Sequence, residues 1–131
     1  MKKHILKSDL VTIYRNIRSI ERRIFLDKEN YFDIIRLSKY AKEGIPLAMI
    51  DYALCLIAGK HIRINKEDAI KYLSFARKDA NGYELYLIGT MYLSFKDIPH
   101  YQKEAIKCLQ RSVELGFYDS LDILSKISEN C

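Results

Sequence analysis

The stretch Ala69-Ile70-Lys71-Tyr72-Leu73 returns 36 residues later as Ala105-Ile106-Lys107-Cys108-Leu109. One five-residue match could be chance, but the same shift superposes Gly44, Ala80 and Gly116, and then Ala53 and Gly89. It also aligns Leu37, Leu73 and Leu109, and Tyr40, Ala76 and Ser112. A fixed period of this length is the signature of a repeat architecture, in which each unit buries its apolar face against its neighbours.

Within each unit apolar residues recur at three and four positions, as in Ala69, Tyr72, Leu73 and Ala76. That is the spacing of one face of an α-helix, and no period-two strand pattern competes with it. Each unit therefore reads as two amphipathic helices. The register predicts helices over about 9–25, 30–42, 46–58, 66–78, 83–94, 102–115 and 119–128. Ser8 or Asp9 is the expected cap of the first. Pro46 sits at a first-turn position, Gly44, Gly59 and Gly116 are stops, and Asp97-Ile98-Pro99 is expected to be a loop.

The fold class that follows is all-α, a short α-solenoid of antiparallel helix pairs with about seven helices. The expected organisation is a single domain, 1–131. It holds an N-terminal capping helix pair at 9–42, repeats at 44–80 and 81–116, and a C-terminal capping helix at 117–131. Few prolines and glycines, two and five in 131 residues, agree with a helical chain that can bury a core.

Tyr52-Ala53-x-x-Leu56-x-x-Gly59, followed by Ile62, Asn65, Ala69, Tyr72 and Ala76, resembles the Sel-one-like repeat, a relative of the tetratricopeptide repeat. Ile88-Gly89-x-x-Tyr92 and Lys103-Glu104-Ala105 resemble it more closely in the second unit. The likeness covers roughly residues 30–128. It departs from the family at Glu84, where alanine is usual, at His61 in a glycine position, and over Asp97–Tyr101, which lacks the loop glycines. The resemblance implies a non-enzymatic scaffold or adaptor that binds protein. It also implies a concave strip formed by the first helix of each unit: Tyr14, Arg18, Ile50, Leu54, Tyr86, Thr90 and Asp122. Whether Ile50, Leu54 and Tyr86 line an open groove or are ordinary core stays open at this stage.

Charge adds a second candidate surface. Residues 1–28 hold eight Lys or Arg against three acids, whereas residues 29–131 hold fourteen of each, so the formal charge of +5 resides in the first helix and the residues before it. Arg15, Arg18, Arg22 and Arg23 give that helix a basic face, suited to an acidic protein surface or to phosphates. A solvated helix face is the plain alternative.

Signatures of chemistry are missing. There is no Gly-rich phosphate loop, Gly-x-Ser-x-Gly or His-Glu-x-x-His. His4, His61 and His100 stand apart from the cysteines, and Glu67-Asp68 read as acids at a helix start. Cys55 and Cys108 fall among apolar residues and are expected to be reduced and buried, and Cys131 completes an odd count. No cofactor or metal is expected. The apolar part of the basic opening, Ile5-Leu6, is too short for an export signal, and no apolar run reaches the roughly 20 residues that cross a bilayer. A cytoplasmic protein binding one dedicated partner is the expectation. If the source is bacterial, a toxin-neutralising immunity protein or a secretion chaperone would fit. Nucleic-acid binding through the first helix is the alternative.

Overall fold

The computed structural model describes residues 7–129. Seven helices occupy most of them: α1 (Lys7–Phe25), α2 (Tyr31–Lys42), α3 (Pro46–Ala58), α4 (Lys66–Asp79), α5 (Gly82–Leu93), α6 (Pro99–Glu114) and α7 (Ser120–Glu129), with no strand among the described residues. The described residues are all-helical, and the chain divides into two compact units, one up to Ala76 and one from Arg77. In the first unit α1 and α2 pack on each other and on α3, and in the second α6 packs on both α5 and α7.

Local chemistry explains the helix ends. Asn30 and Asn81 each accept a backbone N–H three residues on, and Asp33 and Glu84 return the bond to the cap N–H, closing two capping boxes. Asn65 accepts from the Asp68 N–H at 3.1 Å in the same way ahead of α4. The buried Glu84 carboxylate thus has a structural task. α1 already includes Ser8 and Asp9, so neither is its cap, and Asp9 lies in the first turn. α6 begins at Pro99, three residues earlier than expected. Proline resists the helix interior but suits the first position, where its missing N–H would be unpaired in any case.

In the first unit Ile17, Ile20 and Ile24 of α1 are buried with Ile34, Leu37 and Ala41 of α2, and Leu47, Ala48, Ile50, Ala53 and Cys55 complete the core from α3. Gly59 ends α3 at φ 73°, and a Cβ there would lie 2.9 Å from Ile64 Cγ1. His61 takes φ 60°, in the left-handed region that favours glycine. Tyr52 and Tyr72 meet edge to face at 5.3 Å between α3 and α4.

The second unit rests on the α5–α6 contact. Gly89 lets α5 approach so closely that a Cβ would stand 2.8 Å from Leu109 Cγ and 3.3 Å from the Ala105 carbonyl oxygen. Ser112 Oγ, fully buried, donates to the Gly82 carbonyl at 2.6 Å and accepts from Ser120 Oγ at 2.8 Å, which ties α5, α6 and α7 together. Gln102 Nε2 donates to the carbonyls of Tyr92, Leu93 and Phe95, serving the end of α5 where the loop lacks glycine. Arg77 donates to Glu104 at 2.8 Å, and with Lys107 holds that carboxyl below its ordinary range.

Both described cysteines are free and buried, as expected. Desolvation pushes the Cys55 thiol up to about 12 and the Cys108 thiol up to about 11. Neither is a thiolate near neutral pH, so alkylation at both is expected only at the rate of unfolding. Peptide mapping after a timed iodoacetamide pulse checks this, and rapid labelling of either thiol in the folded chain would contradict it. Cys131 lies outside the described residues.

Candidate partner-binding surface

The residues of the expected concave strip are divided between the two units. Tyr14, Arg18, Ile50 and Leu54 belong to the first unit, and Tyr86, Thr90 and Asp122 to the second. Ile50 is only 2% exposed and is core, because α1 and α2 both pack against α3. Tyr14 and Leu54 are half-buried. Tyr86 packs its ring on Phe117 at 5.1 Å, so it braces the α6–α7 turn. The Thr90 hydroxyl donates to the Leu87 carbonyl at 2.8 Å, and Asp122 is exposed. Of the residues sharing the inward register in sequence, Ile50 is thus core.

The basic face also changes membership. Arg23 turns aside: its Nε and Nη2 donate to both carboxylate oxygens of Asp33, at 2.9 and 2.7 Å. That bidentate pair joins α1 to α2 and raises the guanidinium above its usual value. Its charge is spent inside the fold. Arg18, placed in sequence in both the strip and the basic face, is exposed, with a loose 4.0 Å approach to Glu21.

Arg18 thus stays with Arg15 and Arg22. At about 100° per residue, Val11, Arg15, Arg18, Arg22 and Phe25, spaced four, three, four and three, fall on one stripe of α1. All five are exposed. The only acid between Val11 and Leu26 is Glu21, and it is buried. Arg15 and Arg22 make no ion pair with any described residue. A stripe about 20 Å long thus carries three guanidiniums framed by apolar side chains.

Its C-terminal end widens into a feature that the sequence reading missed. Phe25 and Leu26 leave α1, Tyr31 and Phe32 begin α2, and all four are more than half exposed, with Phe32 at 71%. Tyr31 and Phe32 meet edge to face at 6.0 Å. The turn beneath them is pinned. Lys60 donates to Asp27 at 3.0 Å and to the buried Glu29 at 3.1 Å, and the bonds to the two acids keep its ammonium charged. Apolar side chains held out on a braced turn are presented to something other than the chain's own core. The signal was available: four large apolar residues flank Asp27–Asn30 off the core-facing spacing of α1.

No group of three His, Cys, Asp or Glu among the described residues could hold a metal. An open depression on α4, lined by Asp68, Lys71, Tyr72 and Phe75, encloses no buried polar group. No described helix is long and apolar enough to cross a membrane. Compared with protein-family models, curated proteins and solved structures, the chain finds no match.

Proposed function

We propose that this chain is a non-enzymatic helical-repeat module of Sel-one-like type that binds one dedicated protein partner on the outer face of α1 and the α1–α2 turn. The observation that carries the reading is the α1 stripe, Arg15, Arg18 and Arg22 without an exposed acid, continuous with the apolar corner of Phe25, Leu26, Tyr31 and Phe32. Arginine and aromatic residues are the commonest anchors of protein interfaces, and a basic face steers an acidic partner to them. A phosphate backbone would use the arginines but not Val11 or Leu26. A cytoplasmic adaptor or inhibitor suits the size, and in a bacterium an immunity protein or secretion chaperone would have this character.

The test compares capture of partners by the native chain and by Arg15→Glu/Arg22→Glu. Both residues are exposed and without an ion pair among the described residues, so the helical spectrum and melting temperature should be unchanged. Captured partner should fall by about tenfold or more, since charge reversal turns attraction into repulsion. Equal capture by the two proteins removes the function from this face. If the native chain instead retains an oligonucleotide in a salt-dependent way and the variant does not, the nucleic-acid alternative replaces the protein one.

A further inference from the structure

Most of the exposed large apolar side chains among the described residues fall in two groups. The first group is the α1 stripe and its corner. The second lies in the α6–α7 turn and the start of α7, where Leu115, Tyr118 and Leu121 are exposed, Tyr118 at 67%. Here the charge is reversed: exposed Asp119 and Asp122 stand among these side chains and make no ion pair with any described residue. Residues 114–131 hold four acids and one base, Lys126, against eight bases and three acids in residues 1–28.

The outer face of α1 and the α6–α7 surface each combine exposed apolar residues with charges of one predominant sign, and the signs are opposite. We infer that the α6–α7 turn and α7 of one copy dock on the outer face of α1 of a second copy, setting Asp119 and Asp122 against Arg15, Arg18 and Arg22, with Tyr118 and Leu121 on the apolar corner. The inference rests on the reading of α1 as a protein-docking face and names a partner for it. Symmetric pairing is disfavoured by the same charges: α1 on α1 opposes arginine to arginine, and α7 on α7 opposes aspartate to aspartate. The contact is therefore heterologous, and it either closes into a ring or extends head to tail.

Sedimentation velocity of the full chain over a wide concentration range, at low and at high salt, tests this. The weight-average mass should rise above that of the 15.4 kDa monomer with concentration at low salt and fall back at high salt. Arg15→Glu/Arg22→Glu and Asp119→Lys/Asp122→Lys should each be monomeric with a native helical spectrum. Mixing them should restore association, because the mixture contains both a native and a charge-exchanged interface. A native chain that is monomeric at every concentration overturns the inference, as does association that neither variant weakens. The outcome is separable from the capture experiment. A monomeric chain whose arginine variant loses a captured partner refutes self-docking and leaves the proposed function standing, and undiminished capture by a variant that no longer self-associates does the reverse.

Discussion

Gly89→Leu is expected to unfold the second unit or leave it barely stable. The α5–α6 interface is built on the missing side chain: a Cβ alone would stand 2.8 and 2.9 Å from Leu109 Cγ and Cδ2, closer than carbon atoms tolerate. Leu109 is fully buried and cannot swing into solvent, and Ala105, which carries the carbonyl at 3.3 Å, is equally buried. Gly89→Ala forces the helices apart by a few tenths of an ångström and should cost about 1–3 kcal/mol by overpacking. Leucine adds three more carbons to the same contact and should exceed that, a large share of the roughly 5–15 kcal/mol that holds a domain folded. Ser112 and Ser120 tie α5 to α6 and α7, so all three helices should loosen together. Urea titration followed by circular dichroism checks it. An unchanged midpoint for Gly89→Leu would mean that α5 and α6 do not meet at this residue.

The second large effect is expected at Asp33. Its carboxylate is buried, takes the bidentate Arg23 pair, and caps α2 through the Asn30 N–H at 3.1 Å. Asp33→Ala removes the capping return and leaves Arg23 partly desolvated beside an apolar methyl. Charge-assisted hydrogen bonds and a cap together imply a loss of about 2–4 kcal/mol, less than for a fully enclosed pair because Arg23 remains about a third exposed. The Arg23 hydrogen bonds hold the Asp33 carboxyl below the usual carboxylate range. A lowered folded-state value contributes stability above the ordinary carboxylate value near about 4, and that contribution fades as pH falls through the folded value. The native chain should therefore lose more stability on acidification than Asp33→Ala, and the two melting curves should converge. Parallel curves with a constant gap would show that the pair does not titrate as described.

The 36-residue register placed every helix, because the contact it encodes is repeated: Gly89 stands where Ala53 stands, and Ala69 and Ala105 keep the same surfaces thin. α3 was legible to the residue, since Pro46 and Gly59 punctuate both its ends. α6 was read three residues short, because proline was weighed as a breaker rather than as a first residue. The surface was harder to read. Ile50 is core because α1 and α2 cover α3, and spacing within a helix does not say which of its faces a neighbour covers. Arg23 looked like its neighbours until Asp33, ten residues away, was brought beside it. The corner at Phe25–Phe32 is written in sequence as apolar residues off the core spacing, whereas the Lys60 bonds to Asp27 and Glu29 in the turn between them are long-range and leave no local pattern.

Hydroxyl-radical footprinting of the chain, free and with its captured partner, tests the docking face most directly, because phenylalanine, tyrosine and leucine side chains are modified in proportion to their exposure. The expected result is strong protection of Phe25, Leu26, Tyr31 and Phe32 on binding, with Ile64 and Phe75, equally exposed in the free chain, still modified. Protection confined to Ile64 and Phe75, with the α1–α2 corner as reactive as before, would place the partner elsewhere and contradict the account.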